Sequence, residues 1–160
     1  MTHSLDPDPR HQEWMGLALQ QAAMAADEGE VPIGAVVVQL GDAPRVVAAR
    51  HNERESAADP TAHAEVLALR DAAAELGRWR LDDCLMVVTL EPCPMCAGAL
   101  WAARIAGVVQ GAPNPDAGAL GSLYHLGADP RLNHEFPVRA GVAAEQGAAL
   151  LQAFFAGRRR

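Results

Sequence analysis

One histidine, two cysteines and one glutamate carry the most specific chemistry in this sequence. They lie in two short stretches, Thr61-Ala62-His63-Ala64-Glu65 and Glu91-Pro92-Cys93-Pro94-Met95-Cys96. His63, Cys93 and Cys96 are three ligands of the kind zinc prefers. A site with three protein ligands leaves the fourth tetrahedral position open for water, as a catalytic rather than a structural zinc requires. Two thiolates and a neutral imidazole leave the complex formally neutral, so the metal acidifies water less forcefully than an all-histidine site, and a proton acceptor is needed nearby. Glu65, two residues after the histidine, is the natural group to take that proton and return it to a leaving amine. The chemistry implied is hydrolytic deamination.

The spacings say how the chain must position these groups. Cys93 and Cys96 stand at i and i+3, one face of a helical turn. Pro92 suits a first helical position, which predicts a third helix over about 93–104. Thiols in its first turn feel the positive end of the helix dipole, which favours the thiolate that binds metal. His63 and Glu65 are two apart, so on a regular helix they point about 200° away from each other, at roughly 100° per residue. They must therefore sit at a helix's start, where its end rather than its side faces the metal.

Around those stretches the pattern alternates. Residues 1–9 read as a disordered leader and residues 10–160 as a single domain. Trp14, Leu17, Ala18, Met24 and Ala25 recur at helical spacing over 10–27, with Gly29 as a stop. Residues 32–40 and 45–50 read as a hairpin about the turn Gly41-Asp42-Ala43-Pro44. Asp59-Pro60-Thr61 offers capping and first-turn residues for a second helix that runs to Leu76 and stops at Gly77. Residues 81–90 read as a buried strand and 107–111 as a fourth. Residues 114–121 form a Gly- and Pro-rich loop of the kind that carries function, followed by a weak helix near 122–126. A fifth strand is expected over 135–140 and a last helix over 143–156. Helices alternating with five strands predict a three-layer α/β/α domain with a mixed sheet and helices on both faces.

Composition narrows the class further. The chain has 160 residues, half of them hydrophobic, and no apolar run approaches a membrane span. The polar, Pro-rich start has no signal-peptide core, and three cysteines, two of them assigned to metal, argue against a disulfide framework. A cytoplasmic protein is expected, with Cys84 as a small buried hydrophobe. The net charge of −7 is awkward for a partner rich in phosphate. All 13 basic residues are arginine, however, and three close the chain as Arg158-Arg159-Arg160.

His-x-Glu followed by Pro-Cys-x-x-Cys is the signature of zinc nucleobase deaminases. The likeness extends from about residue 11 to the C-terminus. Glu30-Val31-Pro32-Ile33-Gly34-Ala35-Val36, residues 59–65, 90–98 and 118–123, Asn133-His134 and Phe154-Phe155 resemble segments of the bacterial tRNA-specific adenosine deaminases, the TadA type within the cytidine-deaminase-like superfamily. The resemblance implies that superfamily's fold and conversion of adenosine to inosine at the wobble position of an arginine tRNA anticodon. It also implies a homodimer with one zinc per subunit, held by His63, Cys93 and Cys96, with Glu65 shuttling protons. Asn52 matches the family's base-recognising asparagine, and the backbone of Ala64 and Cys93 would face the base and the water. Phe154, Phe155, Arg158 and Arg159 fit stacking and phosphate contacts to the anticodon loop, with one phenylalanine expected to be mainly core.

Three departures fall near the substrate loop. Asn114, a substrate-binding candidate, stands where the family usually has Asp. Asp116 stands where Lys is common, and Gln110 replaces a frequent aromatic. They bear on affinity and on the preference for ribose over deoxyribose in neighbouring nucleotides. Trp101 and Tyr124 fit either a dimer contact or the core. Two other readings remain open at this point: a deaminase of a free purine or pyrimidine base or nucleoside such as guanine, and an RNA-binding module with structural zinc. The basic tail argues against the first and Glu65 against the second.

Overall fold

The computed structural model describes residues 4–158. In chain order the elements are α1 (Arg10–Asp27), β1 (Gly34–Gln39), β2 (Arg45–His51), α2 (Ala64–Leu76), β3 (Cys84–Leu90), α3 (Pro94–Ala102), β4 (Gly107–Ala112), a 3-10 turn (Leu126–Ala128), β5 (Val138–Arg139) and α4 (Ala144–Arg158). The strands form one five-stranded sheet in the order β2-β1-β3-β4-β5. β1 runs antiparallel to both β2 and β3, whereas β3, β4 and β5 are parallel. The sheet is mixed because a tight hairpin joins β1 to β2, while β3 and β4 are connected through a helix, which returns the chain in the same direction.

Both faces of this sheet are covered, and the alternation of each central strand shows it. Ala35, Val37, Met86, Val88 and Val108 join Ala64, Ala68, Leu69 and Ala72 of α2 and Ala97 and Leu100 of α3 in one core. Val36, Val38, Leu85, Val87 and Val109 meet Trp14, Met15 and Ala18 of α1 in the other. A strand apolar on both faces reads as an unbroken run, which is what residues 85–88 show. Each fully buried Val, Leu or Met side chain contributes about 1.5–3 kcal/mol. α1 lies directly against the start of β1: a Cβ on Gly34 would stand 2.7 Å from the Ala22 nitrogen and 2.9 Å from the Gln21 Cβ.

The fold class matches the sequence reading, and several boundaries differ for physical reasons. α2 begins at Ala64 with His63 as its N-cap, not at Pro60. The Asp59 carboxylate instead accepts from the Thr61 backbone N–H at 2.8 Å and from its hydroxyl at 2.7 Å, which closes a local turn. Gly77 ends α2 as expected, in the left-handed conformation with φ 65°. Pro94 rather than Pro92 takes the first position of α3. The weak helix expected at 122–126 is a 3-10 turn a few residues later. β5 is only two residues long, because Pro137 precedes it and has no N–H to donate.

The leader reading also needs correction over 4–9. Ser4 pairs with Val138, the Leu5 N–H donates to the Val138 carbonyl at 3.2 Å, and Leu5 packs on the α1-side core. An open edge strand offers such a segment unpaired backbone groups. Cys84 is buried in the α2-side core, and burial, then Asp83, push its thiol up to about 12, as befits an inert small hydrophobe. No helix among the described residues is long and apolar enough to cross a membrane.

Candidate active site

The two motifs meet because the same local geometry occurs twice. His63 is the extended residue before α2, with φ −74° and ψ 149°, and Cys93 is the extended residue before α3, with φ −73° and ψ 173°. Each turns from a strand-like approach into a helix, so two helix N-termini converge. Cys96 follows in the first turn of α3 and is buried. His63 Nδ1 lies 3.6 Å from Cys93 Sγ and 3.4 Å from Cys96 Sγ, and the three ligand atoms all fall within 4.8 Å of one another. Tetrahedral zinc bonds of about 2.0–2.1 Å to nitrogen and 2.3 Å to sulfur place N and S about 3.6 Å apart, so the cluster fits a metal of that size.

Its electrostatics fit a cation as well. The Cys93 thiol is held down to about 4, first by the Cys96 S–H and then by His63, against the effect of burial. Cys96 is pushed up, as the donor to Cys93 and by burial. Two adjacent sulfurs cannot both ionise unless a cation compensates them, and a divalent metal supplies that compensation. His63 is raised, chiefly by Cys93. Glu65, in the first turn of α2, is buried, and its Oε2 finds no protein partner among the described residues. Burial pushes its carboxyl up more than its own backbone N–H and His63 pull it down. A buried carboxyl raised in this way beside a three-residue donor cluster is a candidate for proton transfer.

A pocket of about 70 Å³ opens over this cluster, lined by Val31, Ile33, Asn52, Arg54, His63 and Ala64. Asn52 is buried, and its Oδ1 is likewise without a protein partner among the described residues. The aliphatic side chains of Val31 and Ile33 with one convergent amide suit a flat heteroaromatic ring, and Arg54 adds a cation to the lining. Asn52 follows directly after β2, where its N–H donates to the Ile33 carbonyl at 3.1 Å. The loop beyond it is held by Glu30, a buried residue to which the sequence reading gave no role. The Glu30 carboxylate accepts from the Ser56 N–H at 2.7 Å and from the Glu55 N–H at 3.3 Å.

Glu91 plays a similar part on the other side and was equally unforeseen. It is buried two residues before Cys93, and its carboxylate binds the loop after β4. That loop also touches the Cys segment directly, through the Ala119 N–H donating to the Pro92 carbonyl at 2.8 Å. Asn114 is partly buried in it, and its side chain accepts from the Ala117 N–H at 3.1 Å. Asp116 is exposed. Gln110 is buried in β4, with its amide nitrogen 3.5 Å from the Leu120 carbonyl.

The end of α4 departs from expectation. Only its first half packs closely, where Gly147 is buried against the Thr89 backbone. Phe154 is half-buried and Phe155 exposed, their rings T-shaped with centroids 5.4 Å apart, so neither phenylalanine is core. The Arg158 guanidinium lies 4.2 Å over the Phe154 ring and donates to the Gly29 carbonyl. That bond ties the helix end two residues from Val31 of the pocket wall. Arg159 lies outside the described residues. Trp101 is half-buried with Arg104 stacked 5.0 Å above it, and Tyr124 is exposed.

The family model for MafB19-like deaminase matches residues 9–159. The chain belongs to that family. A tRNA-specific adenosine deaminase of Bacillus subtilis is 44% identical over 142 residues, which is 89% of this chain and 86% of that protein. A tRNA(Ile)-lysidine synthase of Deinococcus radiodurans is 49% identical over 156 residues; the match takes in 98% of this chain but spans only 26% of that protein. Among solved structures, one from a study of A-to-I editing by tRNA:A34 deaminases at the wobble position is 41% identical with a TM-score of 0.82. It covers 87% of this chain and 99% of its own. A guanine deaminase from Nitrosomonas europaea is 26% identical with a TM-score of 0.77, over 95% of this chain and 87% of its own.

The deaminase fold therefore brings His63, Glu65, Cys93, Cys96, Asn52 and Ala64 to one place, and sets Asn114 on a loop anchored beside the Cys segment. Phe155 stands apart, exposed on the last turns of α4.

Proposed function

We propose that this deaminase converts adenosine to inosine at the wobble position of a tRNA anticodon, that of an arginine tRNA, as a cytoplasmic homodimer with one zinc per subunit. The observation that carries the reading is the buried Glu65 carboxylate beside the three-ligand cluster, under a pocket whose one orphaned amide is Asn52. The likeness to tRNA-specific adenosine deaminases supports the substrate.

Held by His63, Cys93 and Cys96, zinc would supply Lewis acidity that brings water's pKa toward neutrality. The chain's own residues do the rest. Asn52 offers a donor and an acceptor to the purine edge, and the Ala64 N–H, one of the unpaired donors at a helix start, faces the bound ring. Glu65 takes one proton of the attacking water and passes it to N1 of the adenine, then carries the proton of the new C6 hydroxyl to the exocyclic amine. Oxygen replaces nitrogen at C6 and ammonia leaves. Asn114, Phe154, Phe155, Arg158 and Arg159 hold the flanking nucleotides. Adenosine inside a paired stack would be unreachable, so the nucleotide is read flipped out.

The test is inosine formation by zinc-loaded protein on an arginine anticodon stem-loop with adenosine at the wobble position, beside free adenosine and guanine. Turnover of the stem-loop alone supports the proposal. Turnover of guanine alone would overturn it in favour of the free-base reading, to which the likeness to a guanine deaminase lends weight.

A further inference from the structure

Glu91 makes no contact that the chemistry proposed above requires, yet its carboxylate is among the most heavily bonded groups in the molecule. It is buried at 2% exposure. Oε1 accepts from the Asn114 N–H at 3.2 Å and from the Ser122 hydroxyl. Oε2 accepts from the Leu120 N–H at 3.2 Å and from the Ser122 N–H at 3.0 Å. All four donors belong to one segment, 114–122, and Glu91 itself lies two residues from Cys93. Burial pushes its carboxyl up, but the Ser122 hydroxyl and the three backbone N–H groups outweigh that and hold it below the usual range. A buried carboxylate costs several kcal/mol unless its oxygens are bonded, and here the bonds come entirely from the loop that carries Asn114.

The fit is close enough to fix a residue type across the gap. A Cβ on Gly118 would overlap the Glu91 carboxylate and stand 2.5 Å from the Asn114 carbonyl oxygen. Gly118 is also the N–H donor to that carbonyl, at 2.7 Å. The loop is thus folded around the carboxylate rather than merely touching it. Its end is joined to the ligand segment again by the bond between Ala119 and Pro92.

We propose that Glu91 is a positioning residue: it locks the 114–122 loop to the turn that bears Cys93, and so fixes the place of Asn114 relative to the reacting base. The proposal rests on the adenosine deaminase reading for its substrate, and on the four hydrogen bonds for its substance. It assigns Glu91 no contact with substrate or metal. A loop already held in its binding position does not lose affinity to its own ordering when the substrate arrives, which is why a deaminase would hold this one with a charge.

Glu91→Gln tests it with little change of shape. The amide oxygen takes the place of Oε2, since two backbone N–H groups point there. The amide nitrogen then faces Asn114, whose N–H loses its acceptor, while the Ser122 hydroxyl turns to accept. Hydrogen exchange at the Asn114 amide should therefore accelerate about tenfold or more, with Leu120 and Ser122 little changed. On the stem-loop, KM of the zinc-loaded protein should rise by about tenfold while kcat per zinc-loaded site changes less. A double-mutant cycle with Asn114→Ala should be non-additive, because both changes act through one loop. A residue with only a structural role would lower the melting temperature and leave KM of the zinc-loaded protein unchanged, and that result overturns the proposal. Additive effects in the cycle would overturn it too.

Ser122→Ala removes one of the four bonds and provides the milder variant should Glu91→Gln fail to fold. It should raise KM about two- to threefold; wild-type KM in a folded Ser122→Ala protein counts against the clamp. Wild-type turnover, measured alongside, judges the substrate separately. If wild type consumes only guanine, the tRNA reading fails, and Asn114 exchange with KM for guanine still decides what Glu91 does.

Discussion

The ligand cluster and the end of α4 are built on opposite principles. His63, Cys93 and Cys96 converge where two helix starts meet the sheet, and they are fixed by backbone conformations that recur at both. Phe155 and its neighbours stand on the exposed last turns of a helix anchored mainly through its first half. The contrast agrees with the roles proposed for the two regions. Bond-making at a metal tolerates errors of tenths of an ångström, whereas stacking on a single-stranded loop tolerates much more and spreads its energy over several contacts. Damage to the cluster should accordingly be close to all-or-none in kcat, and damage to α4 graded in KM.

Glu65→Ala should show the sharpest form of that difference. Removing a positioned proton-transfer group typically costs about 10²–10⁴-fold, so kcat should fall by about a thousandfold with zinc content and stem-loop affinity retained. Metal analysis and fluorescence anisotropy of a labelled stem-loop check both. A parallel loss of RNA affinity would move Glu65 from chemistry to binding and blur the contrast. Asn52→Ala should come next. It strips the pocket of its one orphaned amide, and single-turnover rates should drop about ten- to a hundredfold, in line with a lost specific hydrogen bond pair to a buried base. Undiminished single-turnover rates would remove Asn52 from base recognition.

The legibility of the sequence divides along the same boundary. The clustering of His63, Cys93 and Cys96 could be read because metal geometry demands particular residue types at short spacing, and the placing of Glu65 because its two-residue offset from His63 makes sense only at a helix start. The sheet could be read because strands buried on both faces are unbroken apolar runs, as at 85–88. Pro92 and Pro94 are each acceptable at a first helical position, and only the extended conformation of Cys93 decides between them. Glu30 and Glu91 left no signal, because their partners are mainly backbone N–H groups 23–31 positions away, and backbone donors carry no residue signature. For α4, helical spacing sent one phenylalanine to the core. Instead Phe154 is only half-buried, under Arg158, and the turn remains outside the sheet.

Within α4 the two phenylalanines provide a smaller internal contrast. Phe155 is exposed, whereas one face of Phe154 is already covered by the Arg158 guanidinium. Stacking of a base on an aromatic ring is worth about 1–3 kcal/mol. Phe155→Ala should therefore raise KM for the stem-loop roughly tenfold with kcat nearly unchanged. Phe154→Ala should act less on KM and more on thermal stability, because it also removes the seat of Arg158. The reverse order of effects on KM would mean that the Arg158 contact opens to admit RNA.

Asp116→Lys should have the smallest effect, and its sign is the informative part. Asp116 is exposed, on the stretch between Asn114 and Gly118 whose ends are held by Glu91 and by the bond from Gly118 to Asn114. The loop's position should therefore survive the substitution, leaving a change of two charge units beside a polyanion. The chain's net charge of −7 makes each local cation count for more. At low ionic strength KM for the stem-loop should fall about two- to threefold, and the advantage should shrink as salt rises, since the Debye length drops to about 8 Å at 0.15 M. A salt-independent improvement would mean that the introduced ammonium reaches a base or ribose rather than a phosphate. An unchanged KM at low salt would place the loop's outer edge away from the RNA, leaving α4 as the electrostatic contact.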